Sequence, residues 1–265
     1  MGISIMNQYR VVDGDAGVAG QVASQLQAAA ETFWNRKDLK WAFPYVYCLV
    51  TKEIVKQVGT GALGSGDLVL RWIANFYELY ALNLNSFLKT SAAEDPWMTA
   101  FTSPATLRPD QPFGARSTAA FIVGMFAHIK SDLPRALAFI YLKFYSPEAK
   151  APPGGIGPPV PVVSYDSFKG DFDAMNQKVF PSVINQVAAG RRDLIPNVTT
   201  YLPDGVRTAL ANAVSGGWDQ VYNKSLPQER EEAWQVGKLY TENALVKDTA
   251  SKLPVATGVT SIQVT

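Results

Sequence analysis

The sequence predicts an all-α protein, a single-domain irregular helical bundle of about eight or nine helices with a long Pro/Gly-rich loop. Apolar residues recur at intervals of three and four along several stretches, as on one face of a helix, and the alternating pattern of strands is almost absent. Apolar residues make up 47% of the chain and charged residues 18%, which is typical of a folded protein with a large core. The 265 residues approach the upper limit for one hydrophobic core, so we expect one domain over residues 1–265.

Proline, glycine and aspartate mark the expected helix boundaries. Pro44 suits the first turn of a helix, where its missing N–H costs nothing. Four glycines within residues 59–66 predict a loop, and Asp67 is expected to cap the long helix that follows. Pro134 removes a helical hydrogen bond, so residues 113–146 are expected to form either one kinked helix or two helices meeting near Ser131. The expected helices cover about 18–36, 44–58, 68–90, 95–101, 113–131, 132–146, 167–189, 203–215 and 227–248.

Three segments lack helical spacing. Residues 1–18 are expected to be an irregular lead-in, and residues 251–265 an irregular tail. Residues 147–163 contain six prolines and three glycines and form the clearest non-helical stretch. A loop of this length in a compact domain is commonly a linker, a lid or a binding loop. We interpret residues 147–163 as a lid over a site.

Charge and cysteine content exclude several classes of protein. The formal net charge is +1 and no basic block occurs, which argues against nucleic-acid binding. The single cysteine, Cys48, cannot form a disulfide within the chain. No run of about 20 apolar residues predicts a membrane span, and the N-terminus lacks a signal-peptide pattern. We therefore expect a cytoplasmic protein, and the oligomeric state stays open.

The most informative pair is His128 and Asp132. His128 is the only histidine, and Asp132 follows it by four residues, so the two side chains share one helix face. A carboxylate beside an imidazole fixes its tautomer and prepares it for acid–base chemistry. The pair could also supply two metal ligands. The alternative is structural, with His128 as a core residue bonded to Asp132, or Asp132 as the cap of the next helix.

Two further polar sets stand on helices. They are Asp171, Asp173 and Asn176 in one predicted helix, and Arg71, Asn75, Glu78 and Asn85 in another. Solvent-exposed first-turn residues explain the first set equally well. The second is a polar stripe that is either the outer face of its helix or the lining of a cavity. The motifs GxxxxGK[ST], HExxH, CxxC and GxSxG are absent, as is an acidic run of the DDxxD type.

The run GMFAHIKSDLPRAL resembles the signature of DUF5995, a family of unknown function, in which the pattern is approximately GMNAHINxDLPxAL. Residues 73–80, 171–179 and 229–240 are similar to other segments of that family. The resemblance implies an all-α domain. Phe126 and Lys130 replace asparagines of the family pattern, and Phe76 replaces an arginine, so a pocket here would be more apolar. The positions that match the family's polar motif residues are His128, Asp132, Asn75, Tyr77, Asp171 and Asn176.

We expect an enzyme that acts on an apolar or aromatic small molecule by His/Asp acid–base chemistry, as a lyase, isomerase or cyclase of biosynthesis. A metal-assisted reaction and a divergent terpenoid cyclase are versions of this hypothesis. No cofactor is certain, and a divalent metal ion would use Asp132 and Asp171. The alternatives are a carrier of a small or lipid-like ligand and a helical protein-interaction scaffold. His128 and Asp132 are the expected catalytic residues, and the expected ligand-binding residues are Arg71, Trp72, Asn75, Tyr77, Phe126, Lys130 and Asn176.

Overall fold

The computed structural model describes residues 5–64, 66–106, 113–147, 149, 163–188 and 226–264. These residues are almost entirely helical, which confirms the all-α prediction. The predicted loop 147–163 lies almost wholly outside the described residues, and the predicted helix 203–215 lies entirely outside them. The helices are α1 (Ala16–Asn35), α2 (Ala42–Gly59), α3 (Gly66–Thr90), α4 (Asp95–Thr106), α5 (Phe113–Ala127), α6 (Leu133–Ile140), α7 (Lys169–Ala188), α8 (Leu226–Glu242) and α9 (Ala244–Lys252).

The first helices begin close to the predicted boundaries. Asp15 caps α1, because its carboxylate accepts a hydrogen bond of 2.8 Å from the Val18 N–H. A short 3-10 turn, Leu39–Trp41, leads directly into α2. Helix α3 begins at Gly66, so Asp67 lies in its first turn, where a negative charge favours the helix dipole, and is not the cap that we expected.

The chain around Pro134 is helical throughout, from Phe113 to Tyr145. Two π-helical segments, His128–Asp132 and Tyr141–Tyr145, flank α6. The Leu133 N–H donates to the carbonyl of His128, five residues earlier. Since Pro134 has no N–H to donate, the wider turn lies where the regular hydrogen-bond ladder is interrupted. The turn therefore joins α5 to α6 and carries His128 and Asp132.

Within the described residues the two terminal segments are mostly irregular, as expected, but each also contributes a two-residue strand. Val11–Val12 pairs in parallel with Val255–Ala256. The Asp13 N–H donates to the Ala256 carbonyl over 2.8 Å, and Ile5 and Tyr9 are buried in the core. The two strands lie at opposite ends of the described chain and are only two residues long each. A strand this short shows no alternating pattern in the sequence, so it could not be predicted.

The predicted helix 227–248 is in fact two helices, α8 and α9. Asn243 separates them, and its side-chain oxygen accepts hydrogen bonds from the N–H groups of Leu245 (2.9 Å) and Val246 (3.2 Å). Asparagine favours this capping role over the helix interior, because its side chain competes for backbone groups. The local break turns the last helix back toward the segment Tyr141–Tyr145.

The packing of the helices encloses a space between them. Helix α2 contacts α1, α3, α5 and α7, while α8 packs along α6. A large cluster of buried apolar side chains runs through the described residues from Ile5 to Leu253. In the part of the chain that the structure describes, no helix has the length and apolar character needed to cross a membrane. The His–Asp turn lies on the inner side of this arrangement.

Candidate functional site

His128 is almost wholly buried, with 4% of its surface exposed. Its Nδ1 lies 2.8 Å from Oδ2 of Asp132. Because a carboxylate only accepts hydrogen bonds, Nδ1 carries the proton and donates it. The lone pair of a neutral imidazole is then on Nε2. The geometry predicted from the four-residue spacing is present, although the turn is π-helical.

Asp132 is fully buried and serves three donors. Its Oδ2 accepts from the indole Nε1–H of Trp97 over 2.9 Å as well as from His128. Its Oδ1 accepts from Nη2 of Arg135 over 3.0 Å, and Arg135 also pairs with Glu94 at 2.7 Å. Such a network of charge-assisted hydrogen bonds stabilises the ionised carboxylate inside the protein. The imidazole is therefore oriented by a carboxylate that is itself held in place.

Aromatic rings surround the imidazole. Phe76 stacks on it, with 3.2 Å between ring centroids and 10° between the planes. Tyr47 and Phe43 approach edge-on, at centroid distances of 4.9 Å and 5.3 Å. The rings exclude water and leave the His128 ring a single orientation. A site built this way is rigid and largely apolar.

An internal cavity borders the opposite edge of the imidazole. Its volume is about 80 Å³, and side chains of α2, α3, α5, α6, α7 and α8 line it together with His128. Since Nδ1 faces Asp132, which does not line the cavity, Nε2 is the nitrogen on the cavity side. The principal apolar residues of the wall are Phe43, Tyr47, Trp72, Phe76, Met125 and Phe172.

Two hydrogen-bond acceptors of the cavity wall are buried without a partner in the described residues. They are Nε2 of His128 and Oδ1 of Asn176. An acceptor left unsatisfied inside a protein costs about 1–3 kcal/mol. The guanidinium-bearing Arg230 of α8, which is also buried, lines the same cavity. The cavity thus combines apolar walls with a few polar groups, which is the usual composition of a small-molecule site.

Burial lowers the pKa of the His128 imidazole below its ordinary value, and the hydrogen bond to Asp132 offsets only part of this effect. The unfolded chain consequently binds more protons than the folded one from about pH 6.5 down to the lowered pKa. We predict that the free energy of unfolding falls as the pH drops through this window, by at most about 1.4 kcal/mol per pH unit.

Urea denaturation at several pH values, for the wild type and for His128→Asn, measures this dependence. The asparagine amide can still donate to Asp132 but does not titrate. The quantity compared is the slope of the free energy of unfolding against pH in the two proteins. Because the chain has one histidine, no other histidine contributes to the difference between these slopes. Identical slopes for both proteins would contradict the lowered pKa.

The predicted ligand-binding residues divide into two groups. Trp72 and Asn176 line the cavity with His128. Asn75 does not, because its side chain bonds the backbone of Val12 and the hydroxyl of Tyr9. This asparagine therefore connects α3 to the N-terminal strand.

Tyr77 and Arg71 also face the terminal segments. The Tyr77 hydroxyl donates to the Thr260 carbonyl over 2.8 Å. Arg71 pairs with Asp13 at 2.8 Å and donates to the Tyr145 hydroxyl over 2.7 Å. Both side chains hold other parts of the chain against α3 and lie outside the cavity wall.

Phe126, Lys130 and Asp171 lie outside the cavity wall as well. Lys130 is exposed and pairs with Glu229 at 2.9 Å, with its ammonium 5.8 Å from the Phe126 ring centroid. Asp171 lies in the first turn of α7. Among the described residues no group of three or more His, Cys, Asp or Glu side chains could hold a metal ion, so the pairing of Asp132 with Asp171 as metal ligands finds no support there.

Sequence reasoning missed four residues of the site. Trp97 lies in a segment predicted as one short helix, and nothing local links it to Asp132. Tyr47 and Phe43 lie on α2 and Arg230 lies near the start of α8, and nothing in their local sequence links them to His128. Helical spacing marks a buried face but does not distinguish core packing from a cavity wall.

Fold and site together define an all-α protein with a buried, carboxylate-oriented histidine beside an apolar cavity. The chain belongs to DUF5995, a family of unknown function, which matches residues 19–153, just over half of the chain. This range includes His128 and Asp132 and confirms the resemblance found in the sequence. No curated protein and no solved structure matches the chain.

Proposed function

We propose that this protein is an enzyme that acts on a small, largely apolar molecule, with His128 as the proton-accepting catalytic residue. The observation that carries the proposal is the buried Nε2 of His128, which has no hydrogen-bond partner among the described residues and borders a cavity. Buried polar atoms in proteins are nearly always hydrogen-bonded, and the exceptions are concentrated at functional sites. A ligand in the cavity would complete this site.

Asp132 is the positioning residue in this proposal. By accepting the Nδ1–H, it keeps the lone pair on Nε2, and its negative charge would stabilise the imidazolium that forms when Nε2 takes a proton. Burial favours the neutral imidazole, which is the form that can accept a proton. The bonds from Trp97 and Arg135 keep the carboxylate in place during this change.

Tyr47 supplies a second group for proton transfer. It lines the cavity beside His128, and burial raises the pKa of its hydroxyl well above the usual range, so the hydroxyl keeps its proton. The hydroxyl donates to the Ile73 carbonyl over 3.4 Å, and in the proposal it turns from that carbonyl to the substrate. A neutral base and a hydroxyl donor at one cavity suit an isomerisation or an elimination, in which one proton leaves carbon and another is delivered. The proposal contains no metal step.

The single histidine gives a direct test. Protein labelled with ¹⁵N-histidine has one imidazole signal pair, so neutral metabolites that enter the cavity are found by the shift of Nε2. Each such compound is then incubated with the protein in D₂O, and deuterium uptake at carbon is followed by mass spectrometry. We expect exchange catalysed by the wild type and slowed at least about 100-fold in His128→Asn.

The control is Lys89→Ala, an exposed position at the C-terminal end of α3 outside the cavity wall, which should exchange at the wild-type rate. Both variants are first checked for cooperative unfolding. Compounds that shift Nε2 but show no exchange or conversion would contradict the enzyme proposal and favour the ligand carrier.

A further inference from the structure

Resting on the proposed function, we infer that the ligand is an uncharged hydroxyl compound with a compact apolar body, whose O–H donates to Nε2 of His128 inside the cavity. Three features of the cavity lead to this class of ligand. They are the kind of unsatisfied atoms in its wall, the charges around it and its volume.

Two hydrogen-bond acceptors of the described wall have no partner among the described residues. Nε2 of His128 carries a lone pair because Nδ1 carries the proton, and Oδ1 of Asn176 is a carbonyl oxygen. An acceptor is satisfied only by a donor, so a ketone or an ether would leave the imidazole as it is. A hydroxyl group donates one hydrogen bond and places no charge in the apolar cavity.

The charges disfavour ionic ligands at Nε2. Arg230 lines the cavity, so an ammonium group would lie near a second positive charge. A carboxylate would be attracted to Arg230 but has no proton to donate to Nε2, and Asp132 behind the ring carries the same charge. Removing either ion from water carries a further cost that the apolar wall does not offset.

The volume limits the apolar body. A cavity of about 150 Å³ is enough for benzene, whereas this one measures about 80 Å³. The enclosed part of the ligand is therefore smaller than an aromatic ring and consists of a short or branched aliphatic group. The surrounding rings of Phe76, Trp72 and Phe172 favour such a group by apolar contact.

Four probes with the same number of non-hydrogen atoms test this class. They are propan-2-ol, acetone, acetate and isopropylammonium, each titrated into ¹⁵N-histidine-labelled protein while the Nε2 resonance is followed. We expect a saturable shift with propan-2-ol and an affinity about tenfold higher than for acetone, because only the alcohol satisfies the buried acceptor.

Ala136→Val tests the location, because Ala136 lines the cavity and two added methyl groups reduce its volume. The variant should lose the propan-2-ol shift, and persistence of the shift would overturn the placement inside the cavity. Equal or tighter binding of acetone, acetate or isopropylammonium would overturn the hydroxyl class and leave the proposed function standing. If none of the four probes shifts Nε2, the hydroxyl class is overturned, while the screen of neutral metabolites still decides the proposed function.

Discussion

Replacing Asp132 by alanine is expected to lower the free energy of unfolding by about 3–5 kcal/mol. The carboxylate is fully buried and accepts hydrogen bonds from Trp97, His128 and Arg135. Its removal leaves the indole and imidazole N–H groups without acceptors in the protein interior. The guanidinium of Arg135 loses one acceptor but keeps its hydrogen bonds to Glu94 and Ser131. Urea denaturation at pH 7 measures the loss.

A matched surface variant calibrates this result. Asp248 pairs with Lys252, but its side chain is 58% exposed, so Asp248→Ala should cost at most about 1 kcal/mol. Asp132→Asn keeps the volume of the side chain but removes its charge. Its amide N–H₂ group would face donors that need an acceptor, so the loss of stability in this variant reports on the hydrogen bonds and the charge and not on a cavity. If Asp132→Ala were no more destabilising than Asp248→Ala, the buried network would not exist in solution.

Replacing Glu78 by alanine is expected to cost about 3 kcal/mol and to free the C-terminal segment. Glu78 is fully buried on α3, and its carboxylate accepts from the backbone N–H of Thr260 (2.8 Å) and from its hydroxyl (2.7 Å). Arg10 donates to the same carboxylate over 3.2 Å. Without it, the two half-buried donors of Thr260 lose their acceptor, at about 1–2 kcal/mol each. The side chain of Arg10 is 39% exposed and can turn to water, which limits the total.

Urea denaturation measures the loss of unfolding free energy in Glu78→Ala. Limited digestion with a carboxypeptidase measures how readily the C-terminal segment is released from α3. Thr260→Val removes the contacts of the hydroxyl with Glu78 and Arg10 and should cost about 1 kcal/mol, with the backbone hydrogen bond to Glu78 intact. The tail should be trimmed faster in Glu78→Ala than in Thr260→Val. Equal trimming rates would show that the carboxylate does not hold the C-terminal segment.

The helices were predictable because their signal is local. The apolar spacing of α1 and α3 and the prolines and glycines between them depend on residues close in the chain, and so does the contact of His128 with Asp132. The positions of Asn75 and Tyr77 show the limit. Both match polar motif positions of the family, yet they bind the terminal segments. A polar residue on a helix has the same pattern whether it lines a cavity or bonds a distant strand.

The amino-acid sequence was sufficient to predict the all-α class, most helix boundaries, the family and the His128–Asp132 pair. The surroundings of that pair became visible only in the folded protein. Trp97 and Tyr47 contact the pair from α4 and α2, Arg230 of α8 lines the cavity beside it, and the strand pairing joins both ends of the described chain. The physical reason is distance along the chain. Contacts between far-separated residues depend on how the buried faces of the helices pack together, and no periodicity within one segment specifies that.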